Sequence, residues 1–113
     1  MAFAHLSDIV QADVDKVRAE RNPDVVIVIC HSGTGKGSQA SLENEGYALK
    51  DKLTGVNFLV CAHDHTKYCE KSGNMVLLNS GSNCRSMGHG TITVTVKDKK
   101  TEVTAISGET LDL

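Results

Sequence analysis

The chain opens on an amphipathic stretch. Between Ser7 and Arg21, Val10, Val14 and Val17 recur at i, i+4 and i+7, which is one stripe of a helix. Ser7 is the expected N-cap. Asp8 and Asp13 lie toward the start, and Lys16, Arg18 and Arg21 toward the end, as the helix dipole favours. Asn22-Pro23 ends the helix, because Pro disfavours helical backbone in the residue before it. Val25 to Cys30 is then apolar without interruption and rich in β-branched residues. That pattern predicts a strand covered on both faces, as in a parallel sheet. A second helix is expected from about Ser41 or Leu42 to Leu53, with Gly55 as its stop. Val56 to Cys61 reads as a second buried strand, residues 62–74 as a polar loop, and Met75 to Leu78 as a third short strand. Residues 79–90 read as a second loop. Thr91 to Val96 then alternates with period two, Asp98-Lys99 can turn the chain, and Glu102 to Ile106 can return antiparallel.

The order helix, strand, helix, strand, strand, followed by an antiparallel hairpin, defines an α/β class. Nothing precedes the first helix to pair with the first strand. An exposed sheet edge is therefore expected, needing a partner such as a second copy of the chain. The 113 residues fit one domain or part of a larger one, and 40% hydrophobic with 23% charged residues suits a folded core. A net charge of −2, two Phe, two Tyr and no Trp speak against a nucleic-acid polymer as partner. No apolar run approaches the roughly 20 residues of a membrane span, and residues 1–20 lack the basic start and apolar middle of a signal peptide. A soluble chain of undetermined compartment is expected. Cys30, Cys61, Cys69 and Cys84 form no C-x-x-C pair, and Cys30 and Cys61 each end an apolar run. This predicts buried thiols rather than a disulfide framework.

Candidate chemistry collects at strand ends. His31 immediately follows the first buried strand, and His63 and His65 follow the second. Ligands in open α/β sheets gather beyond the carboxyl ends of strands, and imidazole suits zinc and its neighbours. The glycine-rich stretch 31–38 does not fit a P-loop, since Cys30 stands where its first Gly is needed and Gly37 follows Lys36. Cys61, His63, His65 and Cys69 offer a rival, a non-catalytic module holding at most a single zinc ion, although paired knuckle spacing is lacking. Arg85, after the third strand, is a candidate phosphate contact through its guanidinium. His89 precedes an amphipathic strand and reads as an ordinary edge residue.

The segments VVIVICHSG (25–33), GVNFLVCAHDHT (55–66) and VLLNSGSNCRSMGHGTITVTV (76–96) together resemble the calcineurin-like metallophosphoesterases. The likeness is to the branch of 5′-nucleotidases and 2′,3′-cyclic nucleotide phosphodiesterases, and it runs from about residue 7 to 97. It implies a partial metallophosphoesterase sandwich and hydrolysis of phosphate esters, nucleotides among them, at two divalent ions of zinc, manganese or iron. It implies that His31 and His63 bind the second metal and His65 the first. Asp64 would fill the variable position between them and point away. Ala62 departs from the family's usual Gly, and its methyl would crowd a close backbone approach. The family's Asp-x-His, Gly-Asp-x-x-Asp and Gly-Asn-His-Glu motifs do not occur. The resemblance therefore makes residues 1–113 the C-terminal portion of a catalytic domain, whose N-terminal half becomes an expected partner. Without a bridging carboxylate, three imidazoles should hold at most one ion, and the fragment alone should be inactive. The parent family is often secreted or periplasmic.

Overall fold

The computed structural model describes residues 5–37 and 41–113. Helix α1 spans Leu6–Arg21. Its N-cap is His5, whose carbonyl accepts from Asp8 N at 3.1 Å, so Ser7 lies inside the helix and is buried rather than capping it. Asn22 closes the helix in the left-handed region, as the residue before Pro23 must leave the helical one. Of the valine stripe, Val14 is buried and Val17 is 43% exposed, so the stripe packs through its first two members.

Four strands form one sheet. β1 (Ile27–Cys30), β2 (Phe58–Cys61) and β4 (Met75–Ser80) run parallel, and β3 (Lys67–Ser72) lies antiparallel at the far edge, in the order β1-β2-β4-β3. The parallel register sets Cys30 beside Cys61 and Cys61 beside Asn79. A second helix, α2 (Gly46–Lys52), is shorter than expected, because residues 41–44 form a turn closed by Asn44 N to Ser41 O at 3.0 Å. β5 (Ser86–Lys97) and β6 (Lys100–Asp112) make a long hairpin with a bulge at Thr93/Val94. Its turn residues Asp98 and Lys99 both take positive φ, 52° and 63°, as a two-residue hairpin turn requires.

Alternation along the strands sorts two cores. Leu59, Cys61, Met75 and Leu77 face the helices and pack with Val14, Leu49 and Leu53. Phe58 and Val76 face the hairpin and pack with Ile106 and Ile92. The layers are therefore helices, sheet and hairpin. Further expectations change, among them the second loop, whose residues 86–90 open β5. Residues 67–72 form strand β3 rather than loop, and β1 is not covered on both faces: Ile27 is 53% and Ile29 80% exposed. The hairpin lies over β4 and β3, leaving the outer face of β1 bare.

Candidate functional site

The carboxyl ends of β1, β2 and β4 point the same way, and the polar segments that follow them meet there. The segment after β1 must pass close beneath the turn at 41–44. Gly33 permits this, since a Cβ there would stand 1.8 Å from Asn44 Oδ1 and 2.7 Å from Asp64 Cβ. The Ser32 hydroxyl accepts from Glu45 N at 2.8 Å, and Gly33 N donates to Glu43 O at 2.9 Å, pinning this segment to the start of α2. Ala62 N donates to Ser32 O at 3.2 Å and Ala62 is exposed, so its methyl does not obstruct that approach. Ser38, last of the glycine-rich stretch, lies outside the described residues.

Two of the three candidate histidines come together. His31 Nε2 and His63 Nδ1 are 3.2 Å apart, with ring centroids 5.1 Å apart and planes at 74°. In one pair of tautomers this is a hydrogen bond. With both lone pairs turned to one ion, the separation matches a tetrahedral zinc edge of about 3.3 Å, given zinc–nitrogen distances of about 2.0–2.1 Å. Glu43 Oε2 stands 3.7 Å from His63 Nε2, on the ring's other side, where metal-binding imidazoles commonly meet a carboxylate. The donor set thus fits two ligands of one ion. His65 is exposed and takes φ 56°, and among the described residues it makes no hydrogen bond or ring contact with His31 or His63. Among the described residues, no group of three His, Cys, Asp or Glu side chains is arranged to hold a metal. A groove of about 460 Å³ opens beside the pair, lined by His31, His63, Glu43, Glu45 and the apolar Leu6, Ile9 and Leu42.

The zinc module drawn from Cys61, His63, His65 and Cys69 is not formed. Cys61 faces the helix-side core, whereas Cys69 packs on the hairpin side of the sheet. All four cysteines are free thiols. Cys30 and Cys61 lie with sulfurs 3.6 Å apart across the parallel register. A hydrogen bond from the Cys61 thiol, against the opposing effect of burial, brings Cys30 below the ordinary thiol range. The same bond, together with burial, pushes Cys61 far above it. Arg85 is exposed on the turn after β4, its amide donating to Ser82 O at 3.2 Å. Its guanidinium is bonded to no described residue. His89 pairs with Glu109 at 3.0 Å across the hairpin, in keeping with its reading as an edge residue.

Asp64, expected from the resemblance to point away from its neighbours, does so, and its bonding partners are what spacing did not reveal. Its side chain turns inward. Oδ2 accepts from Thr34 N at 2.7 Å, and Oδ1 accepts from Asn79 Nδ2 at 2.8 Å and from Thr66 N at 3.3 Å. Burial pushes its carboxyl up, but these hydrogen bonds outweigh burial and hold it below the usual carboxylate range. A second cluster lies on the helix side. Lys50, buried in α2, bonds Asp51 at 3.0 Å and Glu70 of β3 at 3.1 Å, and its ammonium sits 4.2 Å from the Tyr47 ring. Lys36 spans the rings of Tyr47 and Tyr68 at 5.6 and 5.7 Å, tying the glycine-rich stretch down.

No family model matches the chain, and no curated protein matches its sequence. Solved structures do match in fold. A Staphylococcus aureus protein assigned as a 5′-nucleotidase, solved in complex with α-ketoglutarate, aligns over 98% of this chain with TM-score 0.68 and 20% identity. The calcineurin-like phosphoesterase YfkN of Bacillus subtilis aligns over 96% with TM-score 0.76 and 19% identity. This chain spans 22% and 36% of those two chains, about a fifth and a third of their length. The fold is thus that of part of a calcineurin-like phosphoesterase, a mixed α/β sandwich. No helix among the described residues is long and apolar enough to cross a membrane.

Proposed function

We propose that this chain is the C-terminal portion of a metal-dependent phosphoesterase domain and contributes one half of its metal centre. The observation that carries the reading is the His31–His63 pair. Two ring nitrogens stand 3.2 Å apart at the carboxyl ends of neighbouring parallel strands, in a fold shared with phosphoesterases. His31 and His63 would share one ion, and His65, two residues on, would serve a second. The remaining ligands would come from the other half of the domain. Zinc, manganese or iron suits these imidazoles. When bound, the ions would supply Lewis-acid polarisation of the substrate's phosphoryl oxygens. Around them, this chain orients its two imidazoles and offers the groove beside Leu6, Ile9 and Leu42 to the ester's organic part.

The favoured substrates are nucleotides or cyclic nucleotides, supported by the 5′-nucleotidase assignment of one structural neighbour. Arg85 would add a phosphate contact from the turn after β4. The bare outer face of β1 would meet the rest of the domain, and in the isolated chain a second copy of itself. On its own, the fragment would bind a single ion, the most that the expectation allowed, and show no phosphoesterase activity.

Calorimetric titration with zinc tests the reading. The 113-residue chain should bind one ion, and His31→Ala or His63→Ala should each abolish the heat, while His65→Ala leaves it nearly intact. Binding that survives both of the first two substitutions, or that is absent from the unsubstituted chain, would overturn it.

A further inference from the structure

Asp64 sits between the two histidines of the A-H-D-H segment, yet its carboxylate points the opposite way from theirs, into the molecule. There it joins three segments that leave three parallel strands. Thr34, after β1, donates its amide at 2.7 Å. Asn79, at the end of β4, donates its side-chain amide at 2.8 Å and also reaches Thr34 Oγ1 at 3.2 Å. Both are almost fully buried, at 2% and 1% exposure, so neither donor has water as an alternative partner. Asn79 Oδ1 in turn accepts from Gly81 N at 3.2 Å, carrying the network into the turn after β4.

The backbone on either side of Asp64 is strained. His63 takes φ 89° and His65 φ 56°, both in the left-handed region that residues with a side chain seldom adopt. Such conformations persist only where the surroundings over-determine them. Here the surroundings are the three acceptor contacts of one carboxylate. Drawing the Asp64 side chain inward turns its two neighbours outward, and places His63 against His31.

We propose that Asp64 is the positioning residue of the histidine pair: its partly buried carboxylate, gripped by the buried Thr34 and Asn79, holds His63 in its left-handed conformation and so sets the His31–His63 spacing. The consequence for metal affinity rests on the phosphoesterase reading above. The geometric claim does not, and the two are measured separately. A carboxylate that merely supports the fold would, when removed, lower stability and leave the ring-to-ring spacing in the folded molecules unchanged.

The test uses near-isosteric changes. Asp64→Asn keeps an oxygen for Thr34 N but sets an amide group against the amide of Asn79. The exchange D64N/N79D restores a donor facing an acceptor, with the charge moved across the bond. In the metal-free 113-residue chain, proton NMR should show the His31–His63 ring cross-peak. Asp64→Asn should lose it while the amide signals of β2 and β4 persist, and the exchange should bring it back. Zinc affinity should follow the same pattern, falling about tenfold or more in Asp64→Asn and recovering in the exchange. A cross-peak that survives in Asp64→Asn, or that stays lost in a folded exchange variant, overturns the proposal. Loss and recovery of the cross-peak in a chain that binds no zinc would sustain the positioning role and remove the metal reading. Should Asp64→Asn fail to fold while the exchange folds with the cross-peak intact, the complementary bond is upheld as what sets the spacing.

Discussion

At the scale of single residues, two clusters show how neighbours retune a side chain. Glu70 is held below the ordinary carboxylate range chiefly by the Lys50 ammonium 3.1 Å away, partly opposed by burial. A carboxyl depressed in the folded state adds stability that is present above its unfolded value, near 4, and is lost as pH falls through the folded one. Lys50 is opposed by burial, but hydrogen bonds to Asp51 and Glu70 raise it overall. Its contribution is present below the unfolded lysine value and lost as pH rises through the folded one. Urea denaturation should therefore show the chain losing stability at both acidic and strongly alkaline pH, and Lys50→Ala should flatten both limbs. At neutral pH the same variant should cost about 1–3 kcal/mol, since it empties a buried site and strands Glu70. The thiols give a second prediction. Under native conditions iodoacetamide should label exposed Cys84 and half-buried Cys30, while Cys61, buried and bonded through its thiol to Cys30, stays unlabelled in peptide mass maps. The sequence announced His31 and His63, because each follows a long apolar run and strand ends are where ligands gather. The resemblance expected Asp64 to point away from the histidines, and it does, but gave nothing of what it would bond: its partners lie 30 and 15 residues away, and no local pattern encodes so distant a pairing.

At the scale of elements, legibility followed periodicity. The strands with unbroken apolar runs and the Asp98-Lys99 turn were readable because each has a local physical signature. β3 was missed because KYCEKS is a polar edge strand with only Tyr68 and Cys69 to bury. Its one signal is the Gly73-Asn74 pair, which joins Ser72 to Met75 as a two-residue hairpin loop. The second helix starts late because Ser41 and Asn44 bond each other in a turn, a local alternative that such residues commonly offer to helix. The docking of the hairpin depended on glycines that no hydrophobic pattern records. A Cβ at Gly90 would stand 2.6 Å from Phe58 Cε1, and one at Gly108 2.7 Å from Val76 Cγ1. Gly90→Ala should therefore lift β5 from the sheet and destabilise the chain by about 1–3 kcal/mol, as overpacking does. The check is thermal unfolding together with the chemical shifts of the Phe58 ring, which should move toward free values. An unchanged melting temperature and ring shift would show that the hairpin can slide to make room.

At the scale of the whole molecule, the sheet is finished on one side and open on the other. The helices cover the inner face of β1 through Val28 and Cys30, which pack onto the helix-side core. The hairpin stops short of β1, so Ile27 and Ile29 face outward on an edge strand whose outer side pairs with no strand among the described residues. Ile29 at 80% exposure adds little to the stability of a single chain, because burial is what makes an apolar side chain stabilising. Placing a lysine there should then change unfolding free energy by no more than about 0.5 kcal/mol, the range of ordinary surface substitutions. Its effect should fall on association instead. A charged side chain on an exposed edge opposes strand-to-strand pairing. Sedimentation velocity across a concentration series should show the unsubstituted chain self-associating and Ile29→Lys remaining monomeric, with matched denaturation curves for the two. A loss above about 2 kcal/mol in Ile29→Lys would mean that the outer face of β1 is already buried within one chain, and the open side of the sheet would have to be redrawn.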